Sequence, residues 1–195
     1  MAVQILLIRH GENQGENRRK YYGVTDVPLT PRGAALLQPA DFFPAQVFCS
    51  PLCRAVQTAK ILFPKAECIS IPEFKEIDFG IFEGRGWWEM EEDAEYQEWI
   101  ATQCTARCPG GESFAELSER TCTAFDSLMR EAFEKKREML VIVAHGGTQM
   151  AILNRWGQLD DSFFSGQTSY GEGWLLQASQ WPGTLQMIEK RRFSA

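Results

Sequence analysis

The chain has 195 residues, 44% of them hydrophobic and 24% charged, with a formal net charge of −6. That length fits one domain with a modest insertion, and the composition is that of an ordinary globular core without a disordered tail. The acidic balance excludes general binding to nucleic acid or to an acidic membrane surface, because a basic field is what draws proteins to polyanions, so any anion site must be local.

Residues 3–8 are β-branched and leucine-rich without polar alternation after Gln4, the pattern of a central parallel strand covered on both faces. The run stops at Arg9-His10-Gly11-Glu12, and about twenty polar, glycine-containing residues follow. That is too long for a simple connection and is the length of a functional loop. Thr30-Pro31 predicts an N-cap with proline at the first helical position, and Pro39 should end that short helix. Gln46–Cys49 predicts a second strand, and Ser50-Pro51 repeats the cap-and-proline device before a helix over about 51–62. Residues 67–71 resemble a third strand.

Residues 73–84 form an acidic and aromatic loop, and residues 87–101 suit a helix lying over a cleft. From Ser113 to about residue 136, apolar residues recur at helical spacing. Residues 139–144 predict a second strong strand, followed by His145-Gly146-Gly147 and a helix over 147–156. Two C-terminal strands, around 173–176 and 185–188, should finish the sheet edge. Strands alternating with helices predict a three-layer α/β/α sandwich with a mostly parallel central sheet, on one domain spanning 1–195 with a helical lid-like insertion at about 85–112.

His10 and His145 are the only histidines in the chain, and each follows an apolar run and precedes glycine. In open α/β sheets ligands sit beyond the carboxyl ends of the strands, where both histidines fall. Arg54 stands in the first turn of the helix after Ser50-Pro51, where the helix dipole disfavours a cation unless an anion is bound beside it. Two arginines, Arg9 and Arg54, and two histidines can therefore converge on one tetrahedral anion. A histidine held as the correct neutral tautomer is also a nucleophile toward phosphorus. The leaving oxygen needs a proton donor, for which the acidic loop offers Glu73, Glu76, Asp78 and Glu83. Residue chemistry alone leaves these four open.

The six cysteines follow no basic, leader-like N-terminal segment, so reduced thiols and a cytoplasmic location are expected. Cys104 and Cys108 lack a nearby histidine and a clear second pair, so no metal site is expected. No apolar run approaches the roughly 20 residues that span a bilayer.

The segments 9–12, 22–30, 50–59, 76–84 and 144–147, in this order, resemble the histidine phosphatase superfamily, the phosphoglycerate mutase-like branch 1 group. The resemblance covers about residues 3–150. It implies that His10 is the phosphorylated nucleophile, that Arg9, Arg54 and His145 form the phosphate pocket, and that Glu76 is the proton donor. It also implies substrate contacts near Tyr22, Gly23 and Gly146, a small-molecule phosphate ester as partner, and no cofactor. The family's threonine or serine after Arg-His-Gly-Glu is Asn13 here. Its phosphate-contacting asparagine falls at Glu16, with Asn17 one residue late, so either the loop shifts to present Asn17 as the substrate contact or that contact is missing. The compact length favours a phosphatase over a mutase-type phosphotransferase, and the chain looks most like α-ribazole phosphatases and related broad-specificity enzymes. A non-catalytic phospho-ligand binding module is the alternative from another class. Trp87, Trp88, Trp99 and Tyr22 are the expected specificity residues.

Overall fold

A computed structural model describes residues 2–14, 20–157 and 166–194. Six strands form one sheet: β1 (Val3–Arg9), β2 (Gln46–Cys49), β3 (Glu67–Ser70), β4 (Met139–Ala144), β5 (Glu172–Ala178) and β6 (Gln186–Arg192). Their order is β3-β2-β4-β1-β5-β6. The β2–β3, β2–β4 and β1–β4 pairs are parallel, whereas β1–β5 and β5–β6 are antiparallel. The mostly parallel sheet and its C-terminal edge therefore follow the alternation read from the sequence.

Among the described residues the α-helices are α1 (Pro31–Leu36), α2 (Cys53–Leu62), α3 (Ala94–Ala101), α4 (Phe114–Glu134) and α5 (Gly146–Trp156). Alternate strand residues face opposite sides, and each side has its own core. Ile5, Leu7, Leu140 and Ile142 meet Phe125 and Met129 of α4 and Ile152 and Leu153 of α5. Leu6, Ile8, Val141 and Val143 meet Ala55, Ala59 and Leu62 of α2, together with Leu37 beyond α1. Covering both faces explains why β1 and β4 read as unbroken apolar runs; each fully buried leucine or isoleucine contributes about 1.5–3 kcal/mol. A third, smaller cluster gathers Phe82, Met90, Tyr96, Trp99 and Cys108 around α3.

The helix starts are chemical. Thr30 caps α1 by accepting from the Gly33 amide, with Pro31 next to it. Ser113 and Glu116 form a capping box at α4. The Ser50-Pro51 expectation needs correction: α2 begins at Cys53, its N-cap is Leu52, and no side chain caps it. Ser50 instead ends the β2 side of the sheet, its amide donating to the Val143 carbonyl at 3.1 Å. Its hydroxyl oxygen lies 2.7 Å from His145 Nε2.

Register decides what meets at the sheet's carboxyl edge. Arg9 pairs with Ala144 across β1 and β4, and Cys49 pairs with Val143 across β2 and β4. His10, Ser50 and His145 thus leave three adjacent strands at nearly the same height.

Candidate active site

The two histidine rings lie 5.0 Å apart, centroid to centroid, edge to face. His10 Nδ1 is 2.7 Å from the Gly11 carbonyl oxygen, which only accepts, so Nδ1 carries the proton and Nε2 keeps its lone pair. Burial holds the His10 pKa well below its usual 6.5, and Arg54 and Arg9 depress it further. His145 is lowered in the same way, by burial first and then by Arg54, His10, Arg9 and Arg120. Both rings are therefore neutral near pH 7, and the His10 Nε2 lone pair is unprotonated.

Arg9 donates from Nη1 to the Thr168 carbonyl at 2.7 Å, and its guanidinium carbon sits 3.9 Å from the centre of the Tyr170 ring. Gln149 steadies that loop: its Oε1 accepts from the Thr168 amide at 3.0 Å, and its Nε2 donates to the Leu7 carbonyl at 3.1 Å. Arg54 is fully buried. Its Nη1 donates to the Thr25 carbonyl at 3.0 Å and its Nη2 to the Gly23 carbonyl at 2.6 Å. Burial lowers its pKa, with Glu76 and Asp26 acting in the opposite direction.

The four acids of the 73–84 loop separate cleanly. Glu73 is exposed, and the Asp78 carboxylate accepts from the Gly80 amide at 2.8 Å. Glu83 accepts from the amides of Gly23, Val24, Thr25 and Phe79, so it braces the loop whose carbonyls hold Arg54. Glu76 alone of the four lines the cavity that contains Arg9, His10 and Tyr22. Its carboxylate accepts from the Gly147 amide at 3.1 Å and from its own neighbour Ile77 at 3.0 Å. A Cβ at position 147 would overlap Glu76 Oε1, so glycine is what lets helix α5 approach the acid. Arg120 of α4 holds this segment from behind. It donates to the carbonyls of Glu73, Lys75 and Glu76 and pairs with Glu112 at 2.8 Å.

Among the residues expected at the site, Arg9, His10, Glu76 and Tyr22 line this one cavity of about 240 Å³, while Arg54 and His145 are buried outside its lining, the His145 ring 5.0 Å from that of His10. Gly146 opens α5 beside Gln167, another lining residue. The Gly23 amide is engaged by Glu83 at 3.0 Å, and the part of Gly23 turned toward the site chemistry is its carbonyl on Arg54. Asn17 and Glu16 lie outside the described residues. Trp99 is buried at 4% exposure, whereas Trp87 and Trp88 stand 45% and 44% exposed against each other. Arg120, Gln149, Gln167 and Tyr170 had no signal in local sequence, because each reaches the site from a distant element, and Ser50 carried the signal of a helix cap instead. No group of three or more His, Cys, Asp or Glu suited to a metal ion occurs among the described residues. All six cysteines are free thiols, and no described helix is long and apolar enough to cross a membrane.

Residues 5–169 match the model of the histidine phosphatase superfamily, branch 1. The chain belongs to that superfamily. It is 31% identical over 165 residues to an acid phosphatase of Mycobacterium tuberculosis, covering 80% of this chain and 76% of that protein. A phosphoglycerate mutase structure from Thermus thermophilus superposes with a TM-score of 0.73 at 27% identity, covering 96% of this chain and 98% of that one. A crystal structure from Escherichia coli K-12, proposed to be an α-ribazole-5′-P phosphatase, superposes with a TM-score of 0.78 at 26% identity over 100% of both chains. This histidine phosphatase is therefore an enzyme of a superfamily that contains phosphatases and mutases on a common α/β fold.

Proposed function

We propose that the enzyme hydrolyses phosphomonoesters of small metabolites through a phosphohistidine on His10. The observation that carries this reading is a set of unsatisfied donors. Among the described residues, the buried side-chain nitrogens without a hydrogen-bond partner are Arg9 Nε, Arg54 Nε, His145 Nδ1 and Trp99 Nε1. Three of these belong to the residues around His10. A buried polar atom left unpaired costs about 1–3 kcal/mol, and a phosphoryl group between these side chains would relieve several such costs together.

In this mechanism Arg9, Arg54 and His145 bind the phosphoryl oxygens and stabilise the charge that develops on them. His10 Nε2 attacks phosphorus, the ester P–O bond breaks, and Glu76 gives its proton to the departing oxygen. Water then attacks the phosphorus of the phosphohistidine and loses its proton to the Glu76 carboxylate. The P–N bond breaks, and phosphate leaves with His10 neutral again. The Nδ1–H bond to Gly11 keeps His10 in the attacking tautomer throughout.

The phosphatase reading is supported by the 31% identity to the acid phosphatase, and α-ribazole 5′-phosphate is the substrate suggested by the full-length similarity to the Escherichia coli structure. Hydrolysis of p-nitrophenyl phosphate by wild type and His10→Ala is the primary test. The reading requires turnover by the wild type, its loss in the variant, and an acid-labile, base-stable phosphoryl adduct on His10. Equal phosphate release by the two proteins sinks it and leaves a binding module.

A further inference from the structure

Beside the cavity that holds His10 lies a second one of about 290 Å³. The two share Tyr21, Glu76, Phe79 and Gln167 as walls, so they meet at the acid that faces the leaving group. The remaining walls are apolar or weakly polar, chiefly Trp99, Cys104, Phe114, Leu117 and Met150. None of the described lining residues is cationic, and the charged one is Glu76. Lys20, in the adjoining cavity, is already paired with Glu89 at 3.1 Å.

We infer that this second cavity is the leaving-group subsite and that it selects a flat, uncharged, apolar group over one bearing a carboxylate. The inference rests on the phosphomonoesterase reading above. A dry apolar cavity of about 150 Å³ holds a benzene ring, so the volume here has room for two fused rings. The aromatic walls favour a flat group: Tyr21, Phe79 and Trp99 pack edge to face with centroids 5.2–5.9 Å apart, leaving ring surface as lining. Trp99 contributes the fourth unpartnered buried nitrogen, an indole N–H that a ligand acceptor would satisfy. A carboxylate would meet apolar walls with no cation among the described lining residues to receive it, which opposes its desolvation. The selection is thus made by Trp99 and its neighbours, and the exposed Trp87 and Trp88 are not among the described walls of this cavity.

The test uses non-hydrolysable phosphonates, so that leaving-group chemistry does not enter. Binding of methylphosphonate, naphthylmethylphosphonate and phosphonoacetate to the full chain is measured by calorimetry, beside turnover of p-nitrophenyl phosphate. The naphthyl compound should bind at least about tenfold more tightly than methylphosphonate, and phosphonoacetate no more tightly than methylphosphonate. A Cys104→Lys variant, altered at a half-buried loop position, should narrow that gap by weakening the naphthyl compound and strengthening phosphonoacetate severalfold. Equal binding of the naphthyl and methyl compounds, or a tenfold preference for phosphonoacetate, overturns the inference even if p-nitrophenyl phosphate is hydrolysed. Absence of turnover with the naphthyl preference intact defeats the phosphatase reading and leaves the subsite standing.

Discussion

Replacing Glu83 by glutamine keeps the shape of the side chain and removes one acceptor oxygen and the charge. In the native structure Oε1 accepts from Gly23, Val24 and Phe79, and Oε2 from Gly23 and Thr25. The best orientation of the new amide keeps Oε1 where three amides converge and turns its NH₂ toward the Thr25 amide, donor against donor. Hydrogen bonds to a charged acceptor contribute about 1.5–3 kcal/mol and neutral ones about 0.5–1.5, so three Oε1 bonds each weakened by about 1–1.5 kcal/mol, with the two Oε2 bonds lost as well, cost at least about 3 kcal/mol. The functional effect passes through Arg54, because the carbonyls of Gly23 and Thr25 that orient its guanidinium belong to the loop that Glu83 braces. We expect kcat/KM for p-nitrophenyl phosphate to fall about 10- to 100-fold, equivalent to about 1.4–2.8 kcal/mol of transition-state stabilisation. Inhibition by inorganic phosphate should weaken in parallel, since ground-state phosphate uses the same arginine. Steady-state kinetics, phosphate inhibition and a urea melt on one preparation measure all three effects. A destabilised variant whose folded fraction retains wild-type kcat/KM and phosphate inhibition would show that Glu83 only supports the fold.

Glu76→Ala should slow hydrolysis of an alkyl phosphate far more than that of p-nitrophenyl phosphate, whose leaving group needs little protonation; equal losses would remove Glu76 from the acid role. Both histidines have folded-state pKa values below their usual 6.5, so the unfolded chain binds protons that the folded chain refuses as pH drops below that value. Their contribution to stability is present above about pH 6.5 and is lost on acidification, at up to about 1.4 kcal/mol per pH unit for each ring. Urea unfolding at pH 7.5 and 5.5 should differ by about 1–3 kcal/mol, with a smaller difference in His145→Asn, and a flat profile would contradict the buried neutral rings. Gly23→Ala should destabilise by about 1–3 kcal/mol and depress activity, because its Cβ would overlap the Ile77 carbonyl and crowd Glu83; a wild-type melt would refute this packing.

Much of the site was legible before any coordinates. His10 and His145 announced themselves because a strand buried on both faces has to be apolar throughout, so a polar residue directly after it marks the sheet's edge. Arg54 was legible because a cation at a helix start breaks a local electrostatic rule, and Thr30 and Ser113 because capping is a contact between near neighbours in sequence. Ser50 misled for the same reason: a serine before proline has the local form of a cap, but its hydroxyl is drawn to His145, which is 95 residues away.

The sequence by itself determined the elements, the anion-binding residue types and the family, because periodicity, caps and motif order are local properties of the chain. The family resemblance already singled out Glu76, but residue chemistry left four acids open, and the tertiary structure showed that Glu76 alone of them shares the His10 cavity while Glu83 braces the loop beneath Arg54. The tertiary structure alone brought Arg120 behind Glu76 and Tyr170 onto Arg9, and separated the buried Trp99 from the exposed Trp87 and Trp88. These choices depend on strand register and on hydrogen bonds between distant segments. The Arg9–Ala144 pairing fixes the height at which both histidines emerge, and no local preference of either strand encodes it.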